Sequence, residues 1–219
     1  MGRPRAEVTQ QHRRQLFEVA DGQAGYFSAK QAEAAGFSRR LQHHYARISE
    51  WLRPERGVYR LRDYPESRSD QLARLTLWSR DLHDQPQAVV SHDTALRHHD
   101  LSDHDPSRVH LTVPPGFRKA PPRGVVLHRA RLAPQDTQPA GGYRVTTPGR
   151  TLLDLADSPL SPEHLHRAVQ QASERGLIRP RRLLAAAQDL PPAARHRLLS
   201  ALETVLTTVH GDLPGSGQE

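Results

Sequence analysis

Fourteen histidines among 219 residues invite metal or general-base chemistry. They are densest in SHDTALRHHDLSDHD, residues 91–105, where His92, His98, His99 and His104 stand among Asp93, Asp100, Asp103 and Asp105. Imidazole and carboxylate are ordinary ligands of zinc and related ions. The spacing is unfavourable, however. On a helix His92 and His99 share a face but stand about 10 Å apart along the axis, too far for one ion. The i, i+4 histidine pair of a HExxH site is missing. Polar capping and loop hydrogen bonding are the simpler expectation, and a metal-dependent hydrolase or nuclease built on residues 92–105 stands only as a third reading. Nucleophilic catalysis has no better footing, since GxSxG does not occur and the adjacent Ser91, His92 and Asp93 cannot turn toward one another. Neither GxxxxGK[ST] nor GxGxxG is present. Thr146, Thr147 and Arg150 in TTPGRTLLD stand at a helix start where an anion could bind; a threonine N-cap with proline at the first helical position explains the same residues. Arg150 and Asp154 have the spacing of a helix ion pair. With no cysteine, disulfides, thiolate zinc sites and thiol catalysis are excluded. No catalytic residue, metal or cofactor is expected.

A different chemistry is written into RRLQHHYARISEWL, residues 39–52. Leu41, Tyr45, Ile48 and Leu52 recur at helical spacing and are expected to face inward onto Leu16, Phe17, Phe27 and Ala32. Arg39, Arg40, Gln42, His43, His44 and Arg47 are then left outward. Arginine bonds a guanine edge bidentately, glutamine an adenine edge, and histidine either bases or phosphates. No acidic residue occurs from Gly36 to Ser49. The charge along the chain agrees: of the net +7, residues 1–62 hold 12 Arg or Lys against 6 Asp or Glu, while residues 63–219 hold 19 against 18. A localised positive field is what phosphate binding requires. An exposed helix face that merely happens to be basic is the bland alternative, and it does not explain the asymmetry.

The elements that position these residues can be read from caps and periodicity. A first helix is expected over about residues 5–20, ended by Asp21-Gly22. Ser28 caps a short second helix, Gly36 closes it with a left-handed turn, and Ser38 caps the third, which Pro54 stops. PERGVYRL then forms a turn and strand, and the hairpin Arg53 to Arg62 becomes a wing beside a helix-turn-helix. Tyr26 and Tyr59 are expected as core or wing-packing aromatics. Polar turn formers around Asp63 to Ser69 mark a domain junction. Beyond it a helix is expected near 66–82, a short strand and a helix capped at Ser91, and a strand pair, RVHLTVPP with GVVLHRA, forming a β-hairpin across a long loop. One more strand, a helix capped by Thr147, a helix capped by Ser161 and closed by Gly176, and proline-initiated helices complete the chain. The expected architecture is an α/β (α+β) two-domain protein: a winged helix-turn-helix at 1–63, a mixed domain at 64–212 with a small β-sheet and several helices, and a flexible tail at 213–219. No run approaches the roughly 18 to 20 apolar residues of a membrane span. The N-terminus lacks the apolar core of a secretory signal, so a cytoplasmic protein is expected.

In order, GYFSAKQAEAAGFSRRLQHHYARISEWLRPERGVYRLRDYP resembles the N-terminal winged-helix domain of the AbiEi family of antitoxins. The segments VVSHDTALRHHDL, VHLTVPP, GVVLHRARL and RVTTPGRTLLDLAD are similar to that family's C-terminal domain, so the resemblance runs from about Tyr26 to about Leu190. It implies a bacterial regulator that binds inverted-repeat DNA near its own promoter and represses it, with paired molecules on the repeat. It also implies a nucleotidyltransferase toxin as a protein partner, antagonised through the C-terminal domain; an antitoxin acting mainly that way is the alternative reading. By position the resemblance assigns DNA contact to Ser28, Ser38, Arg39, Arg40, Gln42, His43 and Arg47, with Arg56 and Arg60 on the wing. Some relatives continue into an endonuclease-like module with acidic metal ligands. No such segment is seen in this sequence, and nuclease activity is not expected from it.

Overall fold

The computed structural model describes residues 9–67, 69–101 and 106–211. His104, Asp103, Asp105 and the expected tail at 213–219 lie outside them. Two compact units are formed, one by the chain through Ala88 together with Pro139–Arg144, the other by Val89–Gln138 and the chain from Val145 onward. The result is a mixed α/β architecture with a winged-helix first unit.

The first unit begins with α1 (Gln10–Asp21), capped by Thr9, whose hydroxyl accepts from the His12 N–H while its own N–H donates to His12 Nδ1. It continues through β1 (Tyr26–Ser28), α2 (Ala29–Ala34), α3 (Arg39–Arg47), β2 (Trp51–Glu55) and β3 (Val58–Leu61), the strands forming an antiparallel sheet in the order β1-β3-β2. β1 was not apparent in the sequence, being only three residues long. The third helix stops at Arg47 rather than running to Pro54. Ser49 takes a left-handed φ of 62°, and the chain turns so that Trp51 enters an aromatic core. There its ring meets Phe27 edge-on at 4.8 Å and stacks on Tyr45 at 5.0 Å, while Phe27 stacks on Tyr59 at 5.8 Å. Aromatic pairs at such distances stabilise beyond their buried area. Pro54 falls inside β2, where pairing with β3 is interrupted between Leu52 and Glu55, as a residue without an N–H requires. The next helix, α4 (Asp70–Trp78), is shorter than 66–82; its Ala73 and Leu77 pack with Ala24, Tyr26 and Val58. The expected junction near residue 63 therefore falls inside this unit.

A second sheet has the order β6-β5-β4-β8-β7, built from β4 (Val89–Val90), β5 (Val109–Val113), β6 (Val125–Arg129), β7 (Thr137–Ala140) and β8 (Tyr143–Thr146), and all of it but residues 139, 140, 143 and 144 belongs to the second unit. β4 pairs antiparallel with β5 and parallel with β8. β5 and β6 run parallel, in register from Val109↔Val125 to Val113↔Arg129, and do not form the expected hairpin. Parallel strands must start at the same end, and residues 114–124 are long enough to carry the chain back along a five-residue strand of about 17 Å. β7 was also not foreseen. Helices α5 (His92–His98), α6 (Pro148–Ala156), α7 (Pro162–Glu174), α8 (Pro180–Ala186) and α9 (Pro192–Gly211) begin where the caps and prolines indicated. Their core joins Leu152, Leu155, Leu165 and Leu198, all fully buried, to the small Ala168, Ala172, Ala194 and Ala201. Each buried leucine contributes about 1.5 to 3 kcal/mol. Arg197 ties the end of α6 by donating to the carbonyls of Ala156, Ser158 and Leu160.

Candidate nucleic-acid interface

α3 is held at its start, through its middle and against the core. The turn before it needs Gly36: its φ is +90°, and a Cβ there would meet the His12 ring at 3.0 Å. Ser38 caps the helix, accepting from the Leu41 N–H at 3.4 Å. Gln42 is 2 % exposed, and its Nε2 donates to the carbonyls of Ala29 (3.0 Å) and Phe37 (2.9 Å), tying α3 to α2 and the turn. Gln42 is thus a positioning residue on the inner face and cannot reach a base. The helical phase differs from the expectation accordingly. The inner side is Gln42, Tyr45 and Ala46, whereas Ile48 and Leu52 are 49 % and 41 % exposed and Phe17 on α1 is 51 % exposed. Phe17 and Ile48 line an open groove of about 1370 Å³ beside α3, with Tyr45, Trp51, Leu61 and Tyr64.

What α3 presents to solvent is Arg40, His43, His44 and Arg47, at i, i+3, i+4 and i+7 on one face, with Arg39 beside them; all but Arg39 lie on that face and all carry exposed or partly exposed side chains. Arg39, Arg40, His43 and Arg47 make no hydrogen bond or ion pair among the described residues. An α-helix is about 10 to 12 Å across with its side chains, and a major groove about 12 Å wide admits one. The charge is uncompensated within the helix, and its donors are long enough to reach base edges.

The wing is the β2–β3 hairpin, closed by Gly57 at a φ of +78°. Arg56 at its tip is exposed, and so is Arg53, which the sequence had not singled out as a contact and which lies 5.9 Å above the Tyr59 ring. Glu55 is neutralised by Arg74 at 3.0 Å. Arg60 does not belong to this surface. It is 5 % exposed, lies against the Tyr26 ring, and donates from Nη2 to the carbonyls of Tyr64 and Pro65 and to Asp70 at 3.1 Å. Facing the α4 side, a buried guanidinium with these partners holds the segment after β3 in place. Ser28 is likewise inward: it caps α2 by accepting from the Gln31 N–H and donates to Asp84 at 2.9 Å. Tyr26 and Tyr59 are core residues, 7 % and 3 % exposed.

The histidines assemble differently from their sequence spacing. His92 is buried and stacks on His128 at 3.4 Å between centroids; His110 Nδ1 lies 3.1 Å from His128 Nε2 and 3.5 Å from Asp93. His99 points elsewhere, its Nε2–H donating to the Thr146 carbonyl at 2.7 Å. Burial first, then the neighbouring His128, His110 and Arg150, pushes His92 down to about 3; burial also lowers His110, His128 and His99. These imidazoles are neutral at pH 7. Among the described residues no group of three or more His, Asp or Glu is placed to hold a metal ion. Thr147 caps α6 by accepting from the Arg150 N–H. Arg150 bonds Asp154 at 2.8 Å, whose carboxyl is raised by burial against the lowering pull of Arg150.

Residues 88–204 match the family model described as the AbiEi antitoxin C-terminal domain. The chain belongs to the AbiEi antitoxin family. Residues 14–62 match a second AbiEi model, described as a transcriptional regulator and AbiEi antitoxin, so the AbiEi chain carries a regulator module where the exposed α3 is found. A search of curated proteins finds no match. Among solved structures, the crystal structure of the RV2827C protein from Mycobacterium tuberculosis is similar in fold, with a TM-score of 0.57 and 18% identity over 90% of this chain and 78% of that one. No helix among the described residues is long and apolar enough to cross a membrane.

Proposed function

We propose that the protein is a cytoplasmic, non-enzymatic autorepressor that binds inverted-repeat DNA at its own promoter. The observation that carries the reading is α3 itself, with Arg39, Arg40, His43, His44 and Arg47 turned to solvent after a tight glycine turn and unopposed by acid. Arg40 and Arg47 face base edges in the major groove, Ser38 and Arg39 lie near phosphates at the helix start, and Arg53 and Arg56 bring the wing to the backbone. One short helix reads few base pairs, so two molecules on a repeat supply the specificity. The match to the antitoxin C-terminal domain favours a second role, antagonism of a nucleotidyltransferase toxin through that domain.

The test is titration of upstream promoter DNA with wild-type and variant proteins. Arg40→Ala should lose about 1 to 3 kcal/mol of binding and relax preference at one base position. Arg56→Ala should weaken all sequences alike and flatten the salt dependence by about one unit. Unchanged binding by both variants, with folding intact, would show that the interface lies elsewhere.

A further inference from the structure

The second unit carries a cationic surface of its own. From Pro106 to Gln135 the chain holds six Arg or Lys residues and no Asp or Glu. Arg108, Arg118, Lys119, Arg123, Arg129 and Arg131 are all exposed. The five arginines make no ion pair or side-chain hydrogen bond among the described residues. The parallel register gathers them. Val109 pairs with Val125, which sets Arg108 and Arg123 at one end of the strand pair, and Val113 pairs with Arg129, which sets Arg129 and Arg131 at the other. Arg118 lies on the connection between the ends. Val125 to Arg129 spans about 13 Å, an axial length over which one DNA strand carries about four phosphates. Among the described residues Asp93 is set against this pair, held toward His110 at 3.5 Å. β6 is also a sheet edge, and charges on an edge discourage strand pairing. That purpose would be served equally by glutamate, and it does not call for arginine off the strand at 108 and 118.

We infer that the β5–β6 edge of the second unit is a phosphate-binding surface for duplex DNA, adding sequence-independent affinity to whatever α3 reads. The inference rests on the DNA-binding reading of the first unit. Guanidinium groups match phosphate oxygens bidentately, and a chain already anchored by α3 keeps these arginines at high effective concentration near the same duplex.

The experiment compares four full-length proteins by anisotropy titration of labelled promoter duplex across a salt series. They are wild type, Arg40→Ala, a quadruple variant (Arg118→Gln, Arg123→Gln, Arg129→Gln, Arg131→Gln), and the same four positions changed to lysine. Thermal melting checks that each folds. The glutamine variant is expected to bind more weakly, with a salt slope shallower by about 2 to 4 units and unchanged base preference, while the lysine version keeps the wild-type slope. An unchanged slope in the glutamine variant overturns the inference, as does a lysine version that behaves like it. If the quadruple variant is unaffected while Arg40→Ala loses selectivity, the second surface falls and the α3 reading stands. If the glutamine variant has a shallower slope while Arg40→Ala binds as wild type does, the second surface stands and the α3 reading falls. Wild-type protein that does not bind the duplex defeats both.

Discussion

Arg60 and Arg56 are both arginines of one hairpin, and their surroundings give them different work. Arg60 is buried and bonded to Asp70 and two carbonyls, so removing it leaves polar groups without partners. Arg60→Met is expected to lower unfolding free energy by about 2 to 4 kcal/mol, and Arg56→Ala by less than about 0.5 kcal/mol; urea denaturation distinguishes them, and equal effects would contradict the placement. Gln42→Ala strips donors from the Ala29 and Phe37 carbonyls and should cost about 1 to 3 kcal/mol, read as a lower Tm. His92 gives a pH dependence of defined sign. Its unfolded form gains a proton near pH 6.5, while the folded form stays neutral to about 3. The stability it contributes is therefore complete above pH 6.5 and is lost on acidification, by about 1.4 kcal/mol per pH unit from this residue. His92→Asn, chosen because asparagine tolerates the φ of 50° found there, should flatten the stability profile between pH 6.5 and 4.5. An unaltered slope would show that the acid sensitivity arises elsewhere.

At the scale of elements, what the sequence revealed was whatever is encoded locally. Ser28, Ser38, Thr147 and Ser161 cap helices as their types and spacing indicated, and Gly36 and Gly176 close them with positive φ. Such signals act within a turn of helix. Partner choice is non-local. β5 alternates Val109, Leu111 and Val113 and β6 opens with Val125, Val126 and Leu127 whichever way they pair, and only the path of residues 114–124 makes them parallel. The phase of α3 failed for a related reason. Gln42 is polar by composition, yet the carbonyls of Ala29 and Phe37 offer it two bonds inside the fold, and this rotates Ile48 to the surface. The resemblance puts Arg60 on the wing by position, and nothing in the local sequence signals that Asp70 and two carbonyls wait for it. The exposed quartet 40, 43, 44 and 47 survives the change of phase, since a seven-residue span returns to nearly the same side of a helix.

Charge is the property that joins the whole molecule. Summed over 63–219 the excess is small, 19 cations against 18 anions, and that average conceals the carboxylate-free stretch between Pro106 and Gln135. The family assignment rests on matches over both units, and the basic face of α3 is the feature that gives the regulator assignment a physical basis. Its most direct test is equilibrium binding of the purified full-length protein to its own upstream promoter DNA and to a scrambled duplex of equal length, at low and at physiological salt. Tight binding to the promoter is expected, with weaker binding to the scrambled duplex and a fall in both as salt rises. Equal affinity for the two duplexes at both salt concentrations would contradict sequence-specific recognition by α3.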